Sequence, residues 1–323
     1  MLRAGVIGVG YLGQHHARIF SELQGVKLAA VVDPDGQRAS EIARKYGCAA
    51  FTDYRDALDA VDAFSIVTPT TLHYDVALGC ILAGKNVLIE KPITATIEEA
   101  DALIAAADKA GVMVQVGHLE RFNPAVAALY PLIGEPRFFE ASRLSPFLGR
   151  GIDVDIPLDL MIHDLDIILS LISHAAQKKT IDGIPSLPVE VRATGFNVMT
   201  ETIDMAKAWL EFDGGIQALV SASRHSQIKA RTLKIYQEDS YLFVDYQNME
   251  LARFSRQGGA VVREALPVEK KEPLKEELED FARCIGSGTK PRVCALQGRN
   301  ALKLALQIGE TIKMQNRKFR ERP

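Results

Sequence analysis

The first 120 residues alternate short apolar runs with longer segments of helical periodicity. Residues 96–110, which are rich in Ala, Glu and Asp, are typical of the helical segments. The apolar runs that separate such segments are residues 2–8, 27–32, 63–67, 86–89 and 112–117. Strands that alternate with helices favour βαβ units, so the pattern predicts an α/β domain with a doubly wound parallel sheet and right-handed crossovers.

After about residue 135 the pattern changes to one helix followed mainly by strands. Helices are predicted over residues 157–173, 273–285 and 297–315, and strands over residues 206–212, 216–223, 233–237, 241–246 and 249–254. Successive strands joined by turn residues such as Asp213-Gly214-Gly215 form an antiparallel meander. We therefore expect a first domain over residues 1–120 and a second over 121–323. The second is an α+β domain with a large open, mainly antiparallel sheet, and we expect its helix at 297–315 to pack back on the first domain.

Apolar residues occupy alternate positions on both faces of this meander, among them Ala208, Leu210, Phe212, Leu219 and Phe243. Only one face can pack against the predicted helix at 157–173. The other face would form an exposed apolar patch larger than monomers usually tolerate. We therefore expect a second copy of the chain to cover it, in a two-fold homodimer or a dimer of dimers.

Composition excludes several classes of protein. The chain has 323 residues, of which 47% are hydrophobic and 24% charged, and its net charge of −3 gives no basic footprint for nucleic acid. No run of about 18 apolar residues predicts a membrane span, and the first residues lead into a strand without the pattern of a signal peptide. None of the four cysteines lies in C-x-x-C spacing, so we expect no metal site, no disulfide framework and a cytoplasmic protein with reduced thiols.

The motif Gly8-Val9-Gly10-Tyr11-Leu12-Gly13 has G-x-G-x-x-G spacing, directly after a predicted strand and at the start of a predicted helix. In this context the glycines allow a tight turn, and the helix N-terminus offers N–H groups and a positive dipole end to a pyrophosphate. Asp33 ends the second strand 20 residues after Gly13, where a carboxylate accepts hydrogen bonds from ribose hydroxyls and repels a 2′-phosphate. The sequence therefore predicts that NAD, rather than NADP, binds here. A glycine-rich turn without a ligand is the alternative, and Arg38 leaves some use of NADP open.

Lys91 lies in the sequence Glu90-Lys91-Pro92, just beyond the predicted strand at 86–89. Ligands of open parallel sheets bind beyond the carboxyl ends of the strands. Position alone is equally consistent with a catalytic lysine and with a solvated surface lysine, the usual environment of this residue type.

The predicted helix at 157–173 is apolar over most of its circumference, which indicates that it is largely buried. Asp159, His163, Asp166 and Ser170 nevertheless form one polar stripe, which must line a wet site or pair internally. Asp159 and His163 share a face because they are four residues apart. A histidine beside a carboxylate suits acid–base catalysis near neutral pH. The alternative is an ordinary amphipathic helix whose stripe faces bulk water.

Together these motifs resemble the glucose–fructose oxidoreductase/inositol dehydrogenase (Gfo/Idh/MocA) family over nearly the whole chain. The resemblance is carried by the glycine loop, Thr68-Pro69 with His73, Ala83-Gly84-Lys85 before Glu90-Lys91-Pro92, Gly117-His118 with Arg121-Phe122-Asn123-Pro124, and Asp159-x-x-x-His163. It implies a Rossmann domain followed by a substrate domain. It also implies an enzyme that moves a hydride between a nicotinamide and a sugar or polyol carbon.

The resemblance also implies roles for individual residues. Lys91, Asp159 and His163 fall on the catalytic positions. Cofactor contacts are implied at Thr68, Pro69, His73, Glu90, Lys91 and Gln115, in addition to the glycine loop and Asp33. His118 and Asn123 are expected near the substrate. The loop at 148–153 departs from the glycine run of many members, and it is expected to shape the substrate pocket.

Among possible substrates, we expect a UDP-activated amino sugar oxidised on its ring, because the sequence looks similar to bacterial enzymes of that kind. Arg121, Arg143 and Arg150 are predicted to bind its diphosphate, since arginine binds phosphate in a bidentate manner. The alternative is that these arginines are solvated. A free sugar or a cyclitol is the alternative substrate. Two other interpretations are a non-catalytic NAD-binding regulator on the same fold and an enzyme similar to biliverdin reductase, which would not need Asp159 and His163.

Overall fold

The computed structural model describes residues 1–147, 154–177 and 187–320. Within these ranges the chain forms two compact units. The first comprises Met1–Phe122 and Lys271–Arg299, and the second comprises Asn123–Lys270 and the residues from Asn300 onward. The chain thus returns to the first unit near its C-terminal end. The assignment of separate functional domains to residues 1–120 and 121–323 stays a prediction.

A parallel six-stranded sheet forms the centre of the first unit, which confirms the predicted doubly wound α/β fold. Its strands are β1 (Leu2–Ile7), β2 (Val26–Val32), β3 (Ala49–Phe51), β4 (Ala63–Ile66), β5 (Asn86–Glu90) and β6 (Val114–Gly117), in the order β3-β2-β1-β4-β5-β6. The helices that connect them are α1 (Gly13–Glu22), α2 (Gly36–Tyr46), α3 (His73–Leu82) and α4 (Ile97–Ala110). Because β1, β4 and β5 are neighbours and run parallel, the loops that follow them emerge at the same edge of the sheet.

The strands of this sheet are buried on both faces, which explains their nearly continuous apolar runs. Val6, Val31, Phe64 and Leu88 are all inaccessible to solvent. The sequence pattern was therefore strong enough to locate all the strands except the short β3.

A mixed eight-stranded sheet forms the second unit. Its strands are β7 (Phe138–Leu144), β8 (Glu190–Phe196), β9 (Met205–Glu211), β10 (Gln217–Ser223), β11 (Ala230–Tyr236), β12 (Ser240–Asp245), β13 (Glu250–Gln257) and β14 (Ala260–Leu266). Their order is β14-β13-β12-β11-β7-β10-β9-β8. All neighbours are antiparallel except β7 and β10, which confirms the predicted open, mainly antiparallel sheet.

The remaining helices are α5 (Pro124–Ala127), α6 (Ile162–Gln177), α7 (Pro273–Ser287) and α8 (Ala295–Arg320), and short 3₁₀ helices cover Tyr54–Ala60, Thr70–Leu72, Leu119–Phe122, Tyr130–Leu132 and Asp213–Gly215. Helix α7 belongs to the first unit. The first residues of α8 also belong there, and Arg299 forms an ion pair with Asp101 at 2.9 Å. Further along α8, residues such as Leu304 and Ile308 join α6 in the core of the second unit, beneath one face of its sheet.

The helix predicted over residues 157–173 differs from the structure at its start. Pro157–Met161 form a π-helical turn, and the α-helix proper begins at Ile162. Such wider turns are rare and are frequent at functional sites. Asp159 lies in this turn, whereas His163 lies in the first turn of α6.

The two faces of the second sheet differ as the meander predicted. Ala208, Leu210 and Phe212 are buried in the core, whereas Leu219 and Phe243 lie partly exposed on the opposite face. That opposite face carries a row of aromatic side chains contributed by five strands. Ring centroids of neighbours in the row are 4.4–5.8 Å apart, and its members are Trp209, Phe138, Tyr236, Tyr241 and Phe254.

Candidate active site

The glycine loop after β1 requires glycine at two positions and is open at a third. Gly8 has φ +86°, and a Cβ at Gly13 would lie 1.8 Å from the Gly8 carbonyl oxygen. No atom lies within 4 Å of a Cβ built on Gly10. The loop is therefore tightly packed on its own backbone, with free space at Gly10 for a ligand to approach.

The N-terminus of α1 has the electrostatics of an anion site. No side chain caps it, and its first turn contains no acidic residue. The positive end of the helix dipole is therefore not neutralised locally. Tyr11 and Leu12, the central residues of the loop, are both exposed.

Asp33, just after β2, is buried and braces the glycine loop directly. Its Oδ2 accepts a hydrogen bond from the Val9 backbone N–H at 3.0 Å, and its Oδ1 accepts one from the Asp35 N–H at 3.0 Å. The Arg38 guanidinium lies 3.2 Å from the same carboxylate and also pairs with Asp35. Asp33 thus has a structural role in the loop beyond the ribose contact predicted for it.

His73, at the start of α3, connects the loops that follow β4 and β5. Its Nδ1 lies 2.8 Å from the Pro92 carbonyl oxygen and its Nε2 lies 2.9 Å from that of Thr68. Burial lowers the pKa of His73 below its ordinary value, although the two carbonyl contacts act in the opposite direction. The ring therefore clamps Thr68-Pro69 to the turn that contains Lys91. Lys91 itself is partly exposed and directly follows β5.

A buried polar cluster lies behind this turn. Glu90 Oε1 is 3.3 Å from His16 Nε2, and Glu90 Oε2 accepts a hydrogen bond from the Lys91 N–H at 3.2 Å. His16 Nδ1 is 2.8 Å from Ser65 Oγ. A Cβ at Gly117 would lie 2.9 Å from Glu90 Oε1, so only glycine leaves room for this carboxylate. The cluster fixes the backbone on which Lys91 sits.

Helix α7 adds a second carboxyl group to this cluster. Glu277 is fully buried, and neither of its oxygens has a hydrogen-bond partner among the described residues. Burial and the carboxylates of Glu90 and Asp280 raise the pKa of Glu277 well above its ordinary value. Gln115, a predicted cofactor contact, donates from Nε2 to the Glu277 carbonyl oxygen at 3.2 Å.

The second unit places Asp159 and His163 in consecutive turns. Asp159 Oδ2 accepts a hydrogen bond from Arg224 Nη2 at 3.1 Å, and both Asp159 and His163 are partly exposed. Asp155, just before the π-helical turn, accepts from the Ile203 N–H and pairs with Lys313, each at 2.9 Å. The start of the helix is therefore held through the carboxylates of Asp155 and Asp159.

The other half of the polar stripe is internal. Asp166 and Ser170 are buried, and the Ser170 hydroxyl lies 2.6 Å from the Tyr130 hydroxyl. Internal pairing, one of the two outcomes expected for the stripe, therefore applies to its C-terminal half. Only Asp159 and His163 of the stripe are partly exposed.

The residues predicted to bind substrate phosphate or hydroxyl groups are mostly buried. Arg143 donates to both oxygens of the buried Asp164, at 2.8 and 3.1 Å, and its guanidinium lies over the Tyr246 ring. Asn123 caps α5 and donates to the Tyr246 carbonyl oxygen at 3.0 Å. These contacts do not favour the phosphate role predicted for Arg143 or the substrate role predicted for Asn123.

In the first unit, Arg121 is buried and donates to the Arg292 carbonyl oxygen at 3.3 Å. His118 is also buried. Arg150 lies outside the described residues.

Four residues that contact or support predicted site residues within the two units were not identified from the sequence: His16, Ser65, Glu277 and Arg224. His16 gave a weak signal, because it lies on the apolar face of α1 between Gly13 and the buried Phe20. Arg224 gave no signal, because its partner Asp159 is 65 residues away. Glu277 gave no signal either, because Glu90 lies on another element.

Two negative findings concern the described ranges only. None of their helices combines the length and the apolar character needed to cross a membrane. Residues 1–147, 154–177 and 187–320 also contain no group of three or more His, Cys, Asp or Glu side chains arranged to hold a metal ion, and the four cysteines are free thiols.

Comparison with known proteins identifies the family. Residues 2–118 match the profile of the Gfo/Idh/MocA oxidoreductase family, with an NAD-binding Rossmann fold. The UDP-N-acetylglucosamine 3-dehydrogenase of Acidithiobacillus ferrooxidans is 41% identical over 315 residues, which cover 95% of this chain and 96% of that protein. A solved structure of that enzyme has a TM-score of 0.88 at 38% identity and covers 97% of this chain and 98% of that one.

A more distant relative is the scyllo-inositol 2-dehydrogenase (NAD(+)) of Bacillus subtilis, at 29% identity over 90% of this chain and 88% of that protein. Both relatives span nearly the full length of the chain, and both are named as dehydrogenases of sugars or cyclitols. The predicted enzyme class and cofactor are therefore confirmed. The chain belongs to the Gfo/Idh/MocA family of NAD-binding oxidoreductases.

Proposed function

We propose that this chain oxidises a ring hydroxyl of a UDP-activated amino sugar, of the UDP-N-acetylglucosamine type, with NAD as hydride acceptor. The observation that carries the substrate class is the 41% identity, over 95% of the chain, to a UDP-N-acetylglucosamine 3-dehydrogenase. The relative that acts on scyllo-inositol is only 29% identical. A cyclitol or free sugar is therefore the second candidate.

The first unit fits the dinucleotide. Open space at Gly10, the uncapped N-terminus of α1 and the carboxylate of Asp33 supply what a pyrophosphate and an adenosine ribose require. NAD bound there supplies the hydride acceptor. We propose that Thr68 and Pro69 contact the cofactor, whereas His73, Glu90 and Gln115 support it through the clamp and the buried cluster.

The chemistry of alcohol oxidation assigns the catalytic roles. As the C–H hydride leaves, the hydroxyl proton needs a base, and we propose neutral His163 for that role. Lys91 stabilises the developing alkoxide charge. Asp159 orients the imidazole or a neighbouring hydroxyl. His118, Arg121 and Arg150 stay proposed substrate contacts.

A panel of substrates tests the proposal. Purified enzyme and NAD are incubated with UDP-sugars, free sugars and inositols, and NADH is followed by its absorbance. We expect turnover with UDP-N-acetylglucosamine at a kcat/KM well above that of any free sugar or inositol. Turnover of an inositol but of no UDP-sugar would refute the substrate class, and turnover of nothing in the panel would favour a regulator on this fold.

Substitution of the base tests the mechanism. His163→Ala should lower kcat by about 10²–10⁴-fold, the usual effect of a positioned acid–base group, with little change in the affinity for NAD. His174→Ala, on the same helix, is the matched control, because His174 packs edge-on against Tyr130. If His163→Ala keeps normal kcat and loses only thermal stability, His163 is a structural residue.

We also propose that a second copy of the chain covers the aromatic face of the second sheet. Support comes from the row that contains Tyr241 and Phe254, whose rings are stacked at 4.4 Å on a face left partly exposed. Light scattering at micromolar concentration should give a dimer or tetramer. Tyr241→Glu should shift the mass toward the monomer, whereas Leu82→Glu, at an exposed site on α3, should not. A monomeric wild type contradicts this.

The cytoplasm is the compartment we propose. The support is that all four cysteines are free thiols, as is usual for proteins of reducing compartments. Recovery of the activity outside the cytoplasmic fraction of cells would contradict it.

A further inference from the structure

Arg224 directly follows β10 and is buried, with 6% of its side chain exposed. Its Nη2 donates to Asp159 Oδ2 at 3.1 Å and to the Val154 carbonyl oxygen at 2.6 Å. Its Nε and Nη1 are also buried, and neither has an acceptor among the described residues. A buried guanidinium with unsatisfied donors destabilises a fold. Its presence therefore requires a reason other than stability.

The second buried arginine of this unit shows the contrast. Arg143 is 3% exposed and its partner Asp164 is 0% exposed, so that ion pair is wholly internal. Asp159, in contrast, is 30% exposed. The buried Arg224 therefore binds a carboxylate that is partly exposed to solvent. This is the geometry expected of a group that supports a site.

The backbone around Arg224 is itself held in place. Its N–H donates to the Asp204 carbonyl oxygen at 3.0 Å. The Asp204 carboxylate accepts hydrogen bonds from the N–H groups of Val198, Met199 and Thr200, at 2.6–2.9 Å. Arg224 is thus held both at its backbone N–H and at its Nη2. Its side chain therefore does not have to be reordered to contact Asp159 when a substrate binds.

We propose that Arg224 is a positioning residue of this enzyme, which fixes the orientation of the Asp159 carboxylate and balances its charge. The inference rests on the catalytic role of Asp159 in the proposed function. Arg224 itself is not proposed to touch the reacting atoms. It acts through Asp159, so its effect must depend on that residue.

A double-mutant cycle tests this dependence. Steady-state kinetics are measured for the wild type, Arg224→Met, Asp159→Asn and the double variant, with whichever sugar or polyol the panel shows to be turned over. Failure of the UDP-sugar proposal therefore leaves the cycle intact. We expect Arg224→Met to lower kcat by up to about 100-fold, the effect of misplacing a catalytic group by about 1 Å, with KM for NAD unchanged. In the Asp159→Asn background the same change should have almost no further effect on kcat.

Two further variants separate positioning from stability. Arg224→Lys keeps the charge but not the planar fork, so it should restore part of kcat. Arg224→Lys also replaces Arg224→Met in the double-mutant cycle if Arg224→Met does not fold. Arg143→Met is the matched control, because it too removes a buried arginine that pairs with a carboxylate. Its effect on kcat should be the same in the wild type and in the Asp159→Asn background.

The result that would overturn the proposal is additivity. If Arg224→Met or Arg224→Lys lowers kcat equally in the wild type and in Asp159→Asn, Arg224 does not act through Asp159. Wild-type kcat in Arg224→Met, or in Asp159→Asn, would overturn it as well.

Discussion

Replacing Asp33 tests how the chain selects its cofactor. Asp33→Ala removes the carboxylate that would accept hydrogen bonds from the ribose hydroxyls, and it also releases the Val9 N–H that this carboxylate holds at 3.0 Å. A hydrogen bond to a charged group contributes about 1.5–3 kcal/mol. Since about 1.4 kcal/mol corresponds to a tenfold change in Kd, NAD should bind about 10- to 150-fold more weakly.

NADP should respond differently to the same change. In the wild type Asp33 repels a 2′-phosphate and holds the Arg38 guanidinium at 3.2 Å. Asp33→Ala removes the repulsion and frees Arg38 from one of its two carboxylates, so the affinity for NADP should fall less than that for NAD, or rise. The ratio of the two Kd values should therefore move toward one.

Isothermal titration calorimetry with both cofactors measures these affinities. Asp35→Ala is the matched control: it removes the other carboxylate beside Arg38, at 3.2 Å, and leaves Asp33 in place. NAD affinity should hardly change in that control. A wild type that binds NADP more tightly than NAD, or an Asp33→Ala variant with unchanged NAD affinity, would refute the reasoning.

Two further predictions concern buried charges. Arg143→Met should lower the free energy of unfolding in urea by about 3–5 kcal/mol, because it leaves Asp164 buried without its cation. The double variant Arg143→Met, Asp164→Leu should recover most of this loss. A double variant as unstable as the single one would contradict this. Glu277 has a pKa raised above its ordinary value of 4.5, so between that value and its folded-state pKa the folded protein binds more protons than the unfolded one, and stability falls as pH rises. Glu277→Gln lacks this loss, so its melting temperature relative to the wild type should increase as the pH rises above 4.5, and parallel curves would show that Glu277 ionises normally.

The parallel sheet was predictable because its strands are buried on both faces, so each appears as an apolar run. Three strands of the second sheet were not. In β7 the inward positions are Phe139, Ala141 and Arg143, and the arginine hides the alternation. In β14 no residue is buried, because it is an edge strand. In β8 the buried residues are only Ala193 and Gly195, which carry little hydrophobic signal.

The candidate site was predictable where chemistry lies in short motifs. The glycine loop and the pair of Asp159 and His163 each have a local signature, because backbone geometry or helical spacing demands it, whereas position alone left Lys91 open. The π-helical turn at Pro157–Met161 had no such signature. Asp155, two residues before this turn, is held by a tertiary contact, the hydrogen bond from the Ile203 N–H 48 residues away.

Buried polar contacts between distant residues explain why the sequence predicted candidate site residues but not the groups that support them. Glu277 reaches the cluster at Glu90 from α7, and Arg224 reaches Asp159 from the end of β10. Both keep buried polar atoms without partners among the described residues, and well-packed apolar side chains would be more stable at such positions. Stability therefore does not account for either residue. What they share is the kind of neighbour they act on: Glu90 holds the backbone of Lys91, and Asp159 stands one turn before His163. Polar groups that weaken the fold thus lie beside the residues for which we propose catalytic roles.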